Sequence, residues 1–289
     1  MQSKSYHYLT PSPSDKDWGL YLNVVGFAEI KPGTVYPPEG HPNGYYFTWE
    51  NGRVLNEYQI IYITDGYGTF ETMDNKYAIT PGTIITLHPD VWHRYRPDRK
   101  TGWKEYYVGF QETFVKQHVM SRYGHYLKKP VVYIGFQEKI LDIYNKLIEE
   151  VEEEKIGYQQ VCSGLLIYLT GNLVSIIRNK EFGGKIIKQK ILKARLHIKG
   201  NISNDIDMEK LAGELNLSYS YFRNMYKKYT GISPSQYHLI LKLQKAREMI
   251  VSSNKSIKEI SNELNFHSIY YFSQIFKQKM GIRPSKLRK

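Results

Sequence analysis

The sequence predicts an α+β multidomain protein. A β-barrel comes first, then a helical hairpin, then an all-α C-terminal domain with two helix-turn-helix motifs. Three observations carry this. Short aromatic and β-branched runs, punctuated by turn residues, occupy about 20–110. Apolar residues recur at helical spacing over about 137–180. A unit of roughly fifty residues then repeats in the last third.

The strand series is read as follows. Tyr58 to Thr64 leads into the turn residues Asp65-Gly66-Tyr67-Gly68. Thr69 to Met73 and Tyr77 to Ile79 follow, separated by Asp74-Asn75-Lys76, and Pro81-Gly82 closes the pair. Ile84 to Leu87, Val91 to Arg96 and Trp103 to Phe110 complete the set, at a spacing that suits a sandwich or barrel. Trp18, Tyr45, Tyr46, Phe47 and Trp49 form an aromatic lead-in that either lines this barrel or closes it as an arm.

In 137–154, Ile140, Leu141, Tyr144, Leu147, Ile148 and Val151 mark one apolar helix face. Leu165, Leu166, Leu169, Leu173, Ile176 and Ile177 do so in 158–180. The hairpin either covers the barrel or pairs with a second copy. Gly183-Gly184 breaks the pattern and places a boundary there, giving domains 1–183 and 184–289.

Each repeat reads as helix, turn, helix, over about 207–235 and 256–285. Glu214-Leu215-Asn216 matches Glu263-Leu264-Asn265, and Phe222, Lys227, Gly231, Pro234 and Ser235 match Phe272, Lys277, Gly281, Pro284 and Ser285. Asp207, Ser218, Ser256 and Ser268 are the expected helix caps. Asn216 and Asn265 suit the turns, and Gly231-Pro234 and Gly281-Pro284 the stops. Residues 235–252 read as one helix about 25 Å long, stiff enough to hold two reading helices about one DNA turn apart.

Composition narrows the classes. The 289 residues fit two domains better than one, and 41% hydrophobic content argues against wholesale disorder. No run of about 18 apolar residues suggests a membrane span. Met1 to Tyr8 lacks the apolar core of a secretory leader. The single cysteine, Cys162, leaves no internal disulfide and no cysteine-based zinc site, and fits a cytoplasmic location. The formal net charge of +12 is segregated: residues 1–185 carry 20 basic and 21 acidic side chains, residues 186–289 carry 20 and 7. The halves are therefore −1 and +13, which makes nucleic acid the leading partner of the second.

Residues 257–288, with Ile260, Asn265-Phe266, Tyr271-Phe272-Ser273, Phe276-Lys277, Gly281 and Pro284, resemble the AraC/XylS family of bacterial transcription regulators. The first repeat, with Leu211-Ala212, Leu215, Phe222, Tyr229-Thr230-Gly231 and Pro234, is similar to that family's first helix-turn-helix. The order Tyr58 to Gly68, Pro81-Gly82, His88-Pro89 and Trp92 to Tyr95 resembles its cupin-like β-barrel. The resemblance implies a regulator, an activator, that binds double-stranded promoter DNA and a small-molecule effector as a homodimer in contact with RNA polymerase. It implies base contacts at Ser220, Arg223 and Asn224 of the first unit. In the second, the exposed positions of the reading helix are Ile269, Tyr270, Ser273 and Gln274, where Gln274 stands in place of a common basic residue. Arg suits guanine, Asn suits adenine, and Ile269 and Tyr270 either touch thymine methyls or pack on the domain. Lys227, Lys228, Lys277, Lys279 and Arg283 suit phosphates.

In the barrel, Val91, His93 and Tyr95 share one strand face, as do Trp103, Glu105 and Tyr107. Aromatic faces and polar tips of this kind suit a sugar; the alternative is an aromatic core with satisfied polar ends. The resemblance places effector contacts near His93, Tyr95, Glu105 and Tyr107, with Arg53 ahead of the first strong strand. His88 and His93 are five apart and no His-x-His pair occurs, so no metal site, cofactor or enzymatic activity is expected. Two rival readings remain: a DNA-binding regulator whose β-domain only dimerises, and a metal-dependent cupin enzyme fused to a DNA-binding domain.

Overall fold

The computed structural model describes residues 4–38, 42, 44–112, 129–182 and 184–287. Gly183 of the expected boundary, and Arg288 at the end of the family-like stretch, lie outside the described residues. The chain divides into two compact units, Met1–Arg178 and Asn179–Lys289.

The first unit opens with β1 (Lys4–Tyr8), the short helix α1 (Pro13–Asp17) and β2 (Leu20–Ile30). Then come β3 (Tyr58–Gly66), β4 (Gly68–Thr72), β5 (Lys76–Ile79), β6 (Thr83–Leu87), β7 (His93–Pro97), β8 (Trp103–Glu112) and β9 (Val131–Tyr133). The strands form a six-stranded sheet in the order β1-β2-β8-β3-β6-β9 and a three-stranded sheet in the order β5-β4-β7. The turn residues after β3 do not make a hairpin. β3 pairs with β6 and β8, while β4 pairs with β5 and β7, so the chain changes sheets at Tyr67. Gly66 permits this: its φ is +79°, and a Cβ there would lie 2.1 Å from the Gly102 carbonyl oxygen.

The run Ile60-Ile61-Tyr62-Ile63 is continuously apolar because the large sheet is covered on both faces. Ile61 and Ile63 face inward with Ala28, Ile30, Phe70, Ile85, Leu87 and Trp103. Ile60 and Tyr62 face the other way, into a second core with Leu22, Val25 and Val108. That second core is closed by α2 (Glu138–Glu153) and α3 (Tyr158–Glu181). The hairpin therefore covers the barrel. Gln159 fastens it with two bonds, donating to the Leu22 carbonyl at 3.1 Å and accepting from the Leu22 N–H at 2.9 Å. Tyr144 donates to the Ile60 carbonyl at 2.9 Å. By length and composition α3 could cross a membrane, but Cys162, Leu166, Leu169 and Leu173 are buried against the sheet.

The second unit contains α4 (Lys185–Gly200), α5 (Met208–Glu214), α6 (Tyr219–Thr230), α7 (Pro234–Ser252), α8 (Ile257–Glu263), α9 (Ile269–Met280) and α10 (Pro284–Leu287). Helix α3 ends at Glu181, two residues short of the break expected near Gly183, and Phe182 just beyond the helix packs into this unit, 5.0 Å from the Tyr229 ring. Pro234 and Pro284 act differently from expectation. Each occupies the start of a helix, where its missing N–H costs nothing. Ser233 caps α7 and makes a capping box with Gln236.

Leu169 is fully buried between helix and sheet. Leu169→Ala should destabilise the first unit by about 2–5 kcal/mol. The measurement is a lower urea midpoint at unchanged slope.

Candidate functional site

In the barrel, Arg53, between β2 and β3, turns its side chain inward to the small sheet. Main-chain bonds join Arg53 to His93 in both directions, at 2.9 and 3.0 Å. The guanidinium then bonds three groups. Nη2 donates to the Tyr95 hydroxyl at 2.6 Å, Nη1 donates to the Tyr45 carbonyl, and Nε donates to His93 Nε2 at 3.2 Å. Because Nε2 accepts, His93 is the neutral tautomer that donates from Nδ1 to the Val91 carbonyl at 2.9 Å. Burial, with Arg53 alongside, pushes the imidazole down to about 4. Val91 itself precedes β7 and is exposed, so it does not share the inward face of His93 and Tyr95.

Arg53, Tyr95, Glu105 and Tyr107 line one cavity together with Tyr8, Tyr36, Pro37, Tyr45, Phe47 and Gln59. His93 stands behind Arg53. Trp103 does not line the cavity; it packs behind it, edge-on to Tyr36 at 5.8 Å. Trp18 and Tyr46 are exposed, and Trp49 lies against Arg96, 3.8 Å from ring centre to guanidinium. The lead-in thus splits: Tyr45 and Phe47 line the cavity, the others do not. Tyr8 and Tyr36 had no periodic pattern to announce them. Gly26 makes room for the Tyr107 hydroxyl, which would lie 2.5 Å from a Cβ there. That hydroxyl is buried and has no hydrogen-bond partner among the described residues.

Burial raises Glu105 to about 7, opposed by the Tyr36 hydroxyl, Arg53 and Trp103. Tyr36 donates to this carboxylate, at 3.3 Å to the nearer oxygen. The cavity measures about 40 Å³, room for only a few waters. The protein's own Tyr36, Pro37, Tyr45 and Phe47 form part of its wall and narrow it. A wider, open cleft of about 710 Å³ lies nearby, with Lys16, Glu57, His88, Asp90 and Gln111 on its walls. Glu57 connects the two, accepting from Tyr45 at 3.1 Å and Gln59 at 2.8 Å. His88 packs edge-on to Tyr58 at 5.5 Å, away from His93.

In the second unit, α5–α6 and α8–α9 are two helix-turn-helix pairs. Asp207, Ser218, Ser256 and Ser268 all cap their helices through side-chain oxygens. Asn216 and Asn265 take φ of +52° and +53° in the two turns. Phe222 and Tyr226 anchor α6, and Phe272 and Phe276 anchor α9. The outward faces follow from this. Ser220, Arg223, Asn224, Lys227 and Lys228 are exposed on α6. On α9, Ile269, Tyr270, Gln274 and Lys277 are exposed and Ser273 is half-buried. Ile269 and Tyr270 are not packed into the domain: they are 45% and 71% exposed. Lys279 is exposed on α9, and Arg283 in the loop before α10.

A barrel with an inward polar cavity, joined to a basic pair of helix-turn-helix motifs, defines a small-molecule-binding transcription regulator. Residues 24–169, half of the chain, match the family model of the AraC-like ligand binding domain, and residues 211–289 match that of a helix-turn-helix domain. The chain belongs to the AraC family of transcription regulators. It is 26% identical over 254 residues to the raffinose operon transcriptional regulatory protein RafR of Pediococcus pentosaceus, covering 84% of this chain and 88% of the relative. It is 25% identical over 242 residues to the MmsAB operon regulatory protein of Pseudomonas aeruginosa, covering 81% and 75%. To the lactose operon transcription activator of Staphylococcus xylosus it is 24% identical over 256 residues, covering 86% and 88%.

Glu105 and His93 pull stability in opposite directions with pH. Glu105, raised in the folded state, stabilises below about 4.5, and this is lost as pH rises through about 7. His93, depressed, stabilises above about 6.5, and this is lost as pH falls through about 4. Glu105→Gln should therefore gain stability relative to wild type by about 3 kcal/mol between pH 4.5 and 7. Urea unfolding across that range is the test; a constant difference would refute the assignment.

Proposed function

We propose that the chain is a cytoplasmic transcription activator, without enzymatic activity, whose barrel binds a carbohydrate and whose helix-turn-helix pairs bind promoter DNA. The observation that carries the effector reading is the unpartnered, buried Tyr107 hydroxyl beside the Arg53 guanidinium and the Glu105 carboxyl. Together they offer donors and acceptors to hydroxyl groups, and Tyr36, Phe47 and Tyr95 offer ring faces to sugar C–H groups. The raffinose and lactose operon regulators among the relatives agree with this class. A monosaccharide exceeds the present cavity, so Tyr36 must leave Glu105 to admit it.

The chain acts as a homodimer in this reading. The outward side of α3 exposes Val161, Ile167 and Tyr168, apolar side chains that a second copy would cover. Effector binding shifts the preferred arrangement of two DNA-binding units and so their ability to span a promoter and contact RNA polymerase. Ser220, Arg223, Asn224, Ile269, Tyr270, Ser273 and Gln274 read bases, while Lys227, Lys228, Lys277, Lys279 and Arg283 hold phosphates.

Two measurements test the reading. In a thermal-shift screen of mono- and disaccharides, a bound sugar at a hundredfold excess over Kd should stabilise the wild type by about 2.7 kcal/mol. Arg53→Ala should abolish that response; no response to any sugar in the wild type would refute the class. On DNA selected from a random pool, Arg223→Ala should cost about 1–3 kcal/mol and relax preference at one position. Lys277→Ala should weaken all sequences alike and lower the salt slope by about one.

A further inference from the structure

The second unit has two hydrophobic cores, not one. Ile191, Leu211, Phe222 and Tyr226 belong to the first, and Ile260, Leu264, Phe272 and Phe276 to the second. Helix α7 serves both, giving Tyr237 and Leu241 to the first and Leu243, Ala246 and Ile250 to the second. Two separate cores on one helix leave the angle between the halves to whatever else ties them.

Lys242 lies at the point where α7 passes from one core to the other. A lysine on a helix is normally solvated, yet this side chain is only 7% exposed. Its ammonium donates to Asp205 Oδ1 at 3.1 Å, in the loop before α5, and to the Asn265 carbonyl at 3.3 Å, in the turn between α8 and α9. It also sits 5.5 Å from the centre of the Phe266 ring. One cation thus touches the first half, the connecting helix and the second half. One turn earlier on α7, His238 donates from Nε2 to the Asn201 and Ile202 carbonyls at 3.3 and 3.2 Å, pinning the same loop. A cleft of about 150 Å³ remains beside the clasp, walled by Asp205, His238, Lys242, Phe266, His267 and Tyr271. The halves meet there across a gap that apolar packing does not fill.

We propose that Lys242 is a positioning residue for DNA recognition: its clasp of Asp205 and the Asn265 carbonyl fixes the angle between α6 and α9, and so the spacing of base pairs the chain accepts. Geometry favours fixation over affinity. A buried ammonium with two oxygen partners does not neutralise a phosphate, and because Asp205 is half-exposed the ion pair adds little net stability, so its effect is to hold two loops in one arrangement. The Asn265 backbone is set in the left-handed turn, so its carbonyl is a rigid acceptor.

The test uses the full chain and a duplex it selects from a random-sequence pool, with one base pair inserted between the two contacted segments. Each insertion rotates one segment by about a tenth of a helical turn, and the wild type should lose about tenfold or more in affinity. Lys242→Met should lose about threefold or less on the same insertion. Its salt slope on the parent duplex should equal that of the wild type, since a phosphate contact would lower the slope by about one. Should Lys242→Met fail to fold, Asp205→Asn removes the charge partner at a half-exposed side chain and should relax spacing in the same direction. Wild-type spacing discrimination in a folded variant, or a salt slope lowered by one in Lys242→Met, overturns the proposal.

Discussion

The barrel is organised around one half-buried guanidinium, that of Arg53. A charge drawn out of water is tolerable only where its hydrogens are met by fixed acceptors, and Arg53 finds three of them on two separate stretches of chain. His93 and Tyr95 belong to β7, and the Tyr45 carbonyl belongs to the irregular segment after β2. Satisfying Arg53 therefore fastens Tyr45 and its neighbours to the small sheet at the cavity wall. It also decides the chemistry inside. His93 is held neutral with a fixed tautomer, while the water-poor cavity that results raises Glu105 to about 7. The pocket's composition of hydroxyls, one cation and one readily protonated carboxyl is a consequence of this single placement.

The second unit solves a related problem with Lys242. Both units use a cation, shielded from water, to tie irregular backbone that apolar packing does not reach. The difference lies in what is tied. In the barrel it is a wall of a cavity; in the helical unit it is the relation between two reading heads. Much of the excess charge of that unit lies elsewhere, on the basic residues of α4 and on exposed lysines and arginines of α6, α9 and the loop before α10. Long-range attraction to a duplex and arrangement on it are thus carried by different cations.

Much of this was legible in the sequence. Side-chain caps at Asp207, Ser218, Ser256 and Ser268, and left-handed asparagines at 216 and 265, follow local rules that tertiary structure did not override. The inward placing of His93, Tyr95 and Glu105 followed from strand alternation. What escaped notice was non-local. The turn residues at 65–68 carry no mark of whether the chain reverses within a sheet or moves to another one. Helix α4 lacks a side-chain cap, its cap position being Gly184, and so announces no start. Tyr8 and Tyr36 reach the cavity from an edge strand and an irregular segment, where no period exists to read. Lys242 looks like any solvated lysine until Asp205 and Asn265 are brought to it.

The central claim is that the barrel informs the DNA-binding unit through a shared equilibrium. Titration calorimetry of the sugar identified by thermal shift, into the free chain and into the chain saturated with its selected duplex, tests this most directly. Coupling predicts two different affinities for the sugar, typically about 5–150-fold apart, and an equal factor in DNA affinity when the sugar saturates the barrel. Identical sugar affinities with and without DNA would contradict it.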